Sequence, residues 1–337
     1  MDLLWFSLVW LGILHAPHSA ESTDPKTIIE AVNTAGSTWT AGENFDPATP
    51  PSYIKKLLGG RKPPKVTLPV KEMEAQTRTP LPANFDSRKK WPHCPTIANI
   101  YDQGACGSCW AVAGASTFSD RVCIASGGNF TGLLSAHQLL SCCGKMCGDG
   151  CDGGDDYRAW VYIRKYGIVT GGQYQSDRGC QPYTLEPCQH HHIPGKRVDC
   201  YRLPPPKTPE CTGACTNPKY GRSYEQDHFK ASKTYKVMSD PTEIMKEIMT
   251  HGPVQGGMIV YEDFPHYKSG VYKHVAGKEI GAHSIRIIGW GTEGITPYWL
   301  VANTWNTDWG DNGVFKILRG RNECGIEEAV HAGIPIV

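Results

Sequence analysis

Almost no net charge is carried by the 337-residue chain: 34 Lys and Arg offset 33 Asp and Glu, leaving +1. No field of one sign is available to hold nucleic acid or an anionic membrane surface, so neither is expected as a partner. Beyond the first 20 residues no apolar run is long enough to cross a bilayer, and that first run is itself too short. Cysteine is absent from residues 21–80 and nearly absent after Cys215, where Cys324 stands alone. The late part of the chain must therefore be held by a core rather than by bridges.

What is present points to a soluble, exported protein. Hydrophobic residues make up 40% and charged residues 20%, as in an ordinary globular chain of one large or two smaller domains. Residues 1–20, MDLLWFSLVWLGILHAPHSA, end in small residues and read as a secretory signal. Of the 14 cysteines, 13 fall between Cys94 and Cys215, a density that implies disulfides and an oxidising compartment. The cysteine-free leader, residues 21–80, is rich in Pro, Lys and Thr, with one short helical stretch near Ile28 to Val32. It reads as a removable pro-segment ahead of a body that starts near Leu81.

Helical signals crowd the first half of that body. WAVAGASTFSDRV after Cys109 is dense in small residues, as a helix packed on all sides requires. Ser135 and Gln138 stand in capping-box spacing, and a stretch from Asp155 to Tyr166 ends at Gly167. Asp240, Pro241, Glu243 and Gly252 punctuate one late helix as N-cap, first position, N3 and stop. Short strand-like runs follow: GGMIVY, HSIRIIGW, PYWLVANTW and GVFKILRG. The fold class is α+β, with a helical half at roughly 90–225, a β half at roughly 226–330, and a cleft between them as the natural site for chemistry.

The stretch DQGACGSCWAVAG, residues 102–114, sets Cys106 and Cys109 in a C-x-x-C spacing. That spacing suits a dithiol redox pair, half of a zinc site, or two sulfurs with separate roles. A redox reading calls for a βαβ setting that the stretch lacks, and a zinc reading conflicts with a disulfide-forming compartment. Cys109 opens the small-residue helix, where a thiol loses its proton more readily, and a histidine from late in the chain can meet it across a cleft.

CGSCW at 106–110, with His283 in GAHSIRIIGWG and Asn303 in NTWNTDWGDNG, resembles the papain-like cysteine proteases, and within them the cathepsin B branch. The pro-segment stretch STWTAGENF is similar too. The resemblance implies a papain-like two-domain fold, with a helical left domain, an antiparallel β-barrel-like right domain and the active site between them. It makes Cys109 the nucleophile, His283 the proton carrier, Asn303 the group that orients the imidazole, and Trp305 its shield from water. Gln103 donates to the oxyanion. It implies disulfides 94–123, 106–151, 142–211, 143–147, 180–215 and 188–200, which pair Cys94 with Cys123, Cys106 with Cys151, Cys142 with Cys211, Cys143 with Cys147, Cys180 with Cys215 and Cys188 with Cys200. Cys109 and Cys324 stay thiols. Polypeptide substrates, cystatin-like inhibitors, a monomeric state and a lysosomal or extracellular destination follow from the same likeness, and no cofactor is implied.

His283 and Asn303 lie 174 and 194 residues after Cys109, against about 130–150 in the papain pattern, so the chain carries an insertion. CQHHHIPGKRVDC, residues 188–200, falls inside it and matches the branch's occluding loop. His190 and His191 match the histidines that bind a substrate's terminal carboxylate, with Asp102 pairing His190 and Asp308 pairing Arg197 as anchors. Such a loop confers dipeptidyl carboxypeptidase activity, with internal cleavage when it opens. Three adjacent histidines suggest a metal, but consecutive residues in a closed loop converge poorly on one ion, so none is expected.

The second substrate subsite departs from the branch. Ala329 stands where a Glu is common, Asp155 and Asp156 follow Gly153 and Gly154 where Tyr and Pro are usual, and Ala282 replaces the glycine before His283. An apolar base with acidity at the mouth predicts Phe or Val at P2, the second residue before the cut, over Arg. Asn129 heads a glycosylation sequon. The rival reading is a catalytically silent secreted binding protein on this scaffold; the retained Cys109 stands against it.

Overall fold

The computed structural model describes residues 24–62, 68–71, 80–190 and 197–337, so the signal at residues 1–20 lies outside the described residues. From sequence the leader shows a single helical stretch. In the structure it carries three elements: α1 (Pro25–Thr34), β1 (Trp39–Ala41) and α2 (Pro51–Leu57). Asp24 caps α1 through the Lys26 N–H with Pro25 at its first turn, while α2 starts behind Pro50 with no side-chain cap. These short pieces draw their stability from the body they lie on. The Asn44 amide donates to Pro265 O and Tyr267 O, and the Trp39 indole N–H to Lys273 O.

The helical half follows β2 (Phe85–Asp86) and the single turn α3 (Ser87–Lys90). Its centre is α4 (Cys109–Ala125), buried along nearly its whole length, with α5 (Ala136–Cys142), the single turn α6 (Gly144–Cys147) and α7 (Asp156–Lys165) around it. The Ser135 side chain accepts from the Gln138 N–H as the spacing predicts. The Gln138 amide does not return the bond; it serves Tyr224 OH and Val169 N instead. The Trp160 ring meets Phe118 edge-on at the heart of this half.

The second half comprises β3 (Ala231–Lys236), α8 (Pro241–His251), β4 (Val254–Tyr261), β5 (Tyr267–Tyr272), β6 (Glu279–Glu293), β7 (Thr296–Ala302), β8 (Val314–Leu318) and β9 (Ala329–Pro335). Asp240 caps α8 by accepting from Thr242 N and Glu243 N, as its punctuation predicts. The sheet is an open path, β1-β5-β8-β7-β6-β4-β9-β3 with β2 on β6, rather than a closed barrel. Three of its strands lie outside 226–330 in whole or part. The pro-segment supplies β1, the start of the body supplies β2, and β9 runs past residue 330 to bring His331 opposite Gln255.

Two buried charges on α4 lock the halves together. Arg121 binds Glu247 of α8 at 2.8 Å, and Asp120 binds Arg286 of β6 at 2.6 Å. Arg121 also donates to Pro253 O and Gly333 O, so its desolvation is offset by several bonds at once. Burial pushes the Glu247 carboxyl up, but Arg121, Lys71 and His251 overcome it and hold it at about 2. A folded value below the ordinary 4.5 means this stabilisation is complete above that pH and lost as pH falls from 4.5 towards 2. Glu247→Ala should therefore cost about 3–5 kcal/mol at neutral pH in urea unfolding, with less acid sensitivity in that window.

Candidate active site

Cys109 is the first residue of α4, where unpaired backbone N–H groups favour a thiolate. The loop before it is fixed by the Cys106–Cys151 bridge and by a Gly107 N–H bond to Cys151 O at 2.9 Å. Ser108 Oγ and Tyr183 OH lie 2.6 Å apart, and Tyr183 donates to Gln103 O. Across the cleft, His283 sits within β6. Its Nε2 is 2.8 Å from Asn303 Oδ1, which can only accept, so Nε2 carries the proton and Nδ1 is the free base. Nδ1 is buried with no hydrogen-bond partner among the described residues. The Cys109 sulfur lies within reach of the Ser284 N–H, the residue that follows His283. Trp305 packs on the imidazole with ring centroids 4.9 Å apart and is wholly buried.

The pro-segment covers this pair with backbone. Leu57 O accepts from Gln103 Nε2 at 2.9 Å, so the pro-segment backbone holds that amide donor. Gly59 O accepts from the Gly154 N–H at 2.9 Å, and the Gly60 N–H donates to Ala282 O at 3.0 Å. Gly59 must be glycine: a Cβ there would fall 1.7 Å from Gly107 O. Burial pushes the Cys109 thiol up to about 12 and the His283 imidazole down to about 4. Both groups are therefore neutral, and the intact chain holds the components of the ion pair without the charges.

Of the loop residues, His190 is fully buried with Nε2 3.0 Å from Asp102 Oδ1, one residue before Gln103. Its Nδ1 meets Tyr53 OH of α2 at 3.4 Å. Burial pushes the Asp102 carboxyl up, but His190, the Gly104 N–H and Asn306 outweigh it and hold it low. His191 lies outside the described residues. Arg197 reaches Asp102 Oδ2 at 3.4 Å, on the buried carboxylate that His190 also binds. The Asp308 N–H donates to Asn306 Oδ1.

The structure pairs Cys94–Cys123, Cys106–Cys151, Cys142–Cys211, Cys143–Cys147, Cys180–Cys215 and Cys188–Cys200, leaving Cys109 and Cys324 as thiols. Cys188, His190 and Cys200 cluster closely enough to hold an ion, but both sulfurs are spent in one disulfide. Asn129 is exposed in the turn after α4. Gly153 has φ +109°, and a Cβ on Gly154 would meet the Trp110 ring at 2.6 Å.

Residues 81–334 match the model of the papain family of cysteine proteases, and residues 26–64 match the propeptide of that peptidase family. The chain belongs to the papain family. It is 50% identical over 262 residues to cathepsin B-like cysteine proteinase 4 of Caenorhabditis elegans, covering 76% of each chain. To the cathepsin B-like cysteine proteinase of Schistosoma japonicum it is 51% identical over 258 residues, 75% of this chain and 73% of the relative. Procathepsin B S9 of Trypanosoma congolense superposes with a TM-score of 0.79 at 40% identity, covering 93% of this chain and 98% of that one. The protein is thus a cathepsin B-like cysteine peptidase carrying its propeptide.

Sequence reasoning missed what covers and supports the site. The glycine pair in LLGG was the available signal for a close backbone approach. Thr304, whose Oγ1 donates to Gln103 Oε1 at 2.5 Å and so turns the amide nitrogen toward the cleft, gave no signal of that role. Gln103→Ala in the processed enzyme should lower kcat about 10²–10³-fold with a smaller change in KM, measured on a peptide reporter.

Proposed function

We propose that the chain is a zymogen whose mature body, residues 81–337, cuts polypeptides by acyl transfer through Cys109. After residues 21–80 leave, water reaches the cleft and His283 Nδ1 takes the thiol proton. The helix N-terminus favours the thiolate. The thiolate attacks the scissile carbonyl, whose oxygen collects the Gln103 amide and the Cys109 N–H, and His283 returns the proton to the leaving amine. Water then hydrolyses the thioester, with the imidazole again as base.

We further propose that the enzyme releases dipeptides from free carboxyl ends as well as cutting internally. The observation that carries this reading is the seat of His190. It is clamped to Asp102, next to the oxyanion donor, in a loop closed by the Cys188–Cys200 bridge. Imidazole and guanidinium donors anchored this close to the oxyanion donor suit capture of a substrate's free carboxylate.

Mass spectrometry of products from one peptide with a free or an amidated C-terminus tests this. Stepwise dipeptide loss is expected from the free form alone. Internal cuts at equal rates in both forms would remove the loop assignment.

A further inference from the structure

One carboxylate beside the catalytic pair has no part in the chemistry above. Asp156 opens α7, and its Oδ1 accepts from Ser284 Oγ at 2.6 Å and Gln255 Nε2 at 2.9 Å. Its Oδ2 takes neither a hydrogen bond nor a cation among the described residues. Asp155 differs, with Oδ2 3.5 Å from Arg158 and 3.8 Å from Arg61 of the pro-segment. Arg158 remains with it when the pro-segment leaves.

The free oxygen of Asp156 points at a particular place. A Cβ built on Gly257 would lie 3.3 Å from Asp156 Oδ2 and 3.3 Å from the Ala329 methyl. Acid and methyl therefore converge over a bare stretch of β4, where Gly257 pairs with Ser284 on one side and Ala329 on the other. The acid thus faces the same bare stretch of strand as Ala329, the position where the branch carries Glu.

We propose that Asp156 selects the P2 residue, taking Arg or Lys when its carboxylate is charged and an apolar side chain when it is neutral. Held by Ser284 and Gln255, the carboxylate has one oxygen to offer, enough for a charge-assisted bond to a guanidinium or ammonium. Ala329 leaves the space that such a long side chain needs.

Asp156 is the carboxyl here whose ionisation is displaced towards neutral pH. Burial pushes its carboxyl up to about 7, the Ser284 bond opposes this and the Asp155 charge adds to it. Other ionisable groups on the surrounding elements are Arg158 on its own helix, Cys109 from α4, His283 from β6 and His331 from β9, the last kept neutral by burial. Removing the pro-segment admits water, which relieves part of that burial and moves the midpoint down. Below it Phe is preferred at P2, and above it Arg gains.

The test is the ratio of kcat/KM for Arg-Arg and Phe-Arg reporter peptides from pH 4.5 to 7.5, using enzyme processed from the full chain. Both reporters share the nucleophile and the P1 arginine, so titration of Cys109 and His283 cancels. The ratio should climb tenfold or more and then level. Asp156→Asn, which keeps an oxygen for Ser284 and Gln255, should hold it at the acid value. A flat ratio in the native enzyme overturns the proposal without any variant, and so does a climb that survives in Asp156→Asn. The inference rests on Cys109 and His283 as the reacting pair: cleavage of Phe-Arg establishes that pair independently of the ratio, and failure to cut either reporter removes both assignments.

Discussion

Exclusion of water from one sulfur and one imidazole is the constraint that governs this molecule. A thiolate–imidazolium pair requires two charges side by side, and burial penalises each of them. The backbone of Leu57 to Gly60 imposes that burial with its own polar groups satisfied. Leu57 O takes the Gln103 amide, Gly59 O takes Gly154, and Gly60 N gives to Ala282. The cover therefore costs the intact chain little in unpaired hydrogen bonds while it keeps the cleft dry. Cys109 near 12 and His283 near 4 are two readings of the same desolvation.

The cover works because the cleft behind it is rigid. α4 ends at Cys109 on one side and carries Asp120 and Arg121 further along, each sunk into a partner from the sheet half. Cys109 and His283 come from different halves, so these buried pairs also fix how the sulfur and the imidazole face each other. β4 and β6 extend the same logic to the substrate. Their register sets Gly257 between Ser284 and Ala329, which decides where Asp156 can reach.

Much of this was legible in the residues. The family, the meeting of His283 with Asn303, and the α4, α8 and strand assignments rest on residue types bound to a geometry: a cap, a small-residue helix, a signature around Cys109. The pro-segment was less legible because its elements are short and gain stability only by docking on residues more than 200 positions away, as Asn44 does on Pro265 and Tyr267. The bond from Arg197 to Asp102 was not legible for a related reason: it depends on where the fold buries that carboxylate beside His190. Asp156 was visible as an acid, but its setting was not, since its partners Gln255 and Ser284 lie 99 and 128 residues away in sequence.

Direct titration of the Cys109 thiol before and after removal of residues 21–80 tests the account most directly. Alkylation rates for the Cys109 peptide, read by mass spectrometry from pH 4 to 8 with the disulfides intact, give the thiolate content of each form. The half-buried Cys324 thiol serves as an internal reference. The account predicts suppressed labelling across this range in the intact chain, and a gain of at least 100-fold after processing, already present in acid as an ion pair requires. Equal rates in the two forms would contradict it, because the cover would then not be what keeps the sulfur protonated.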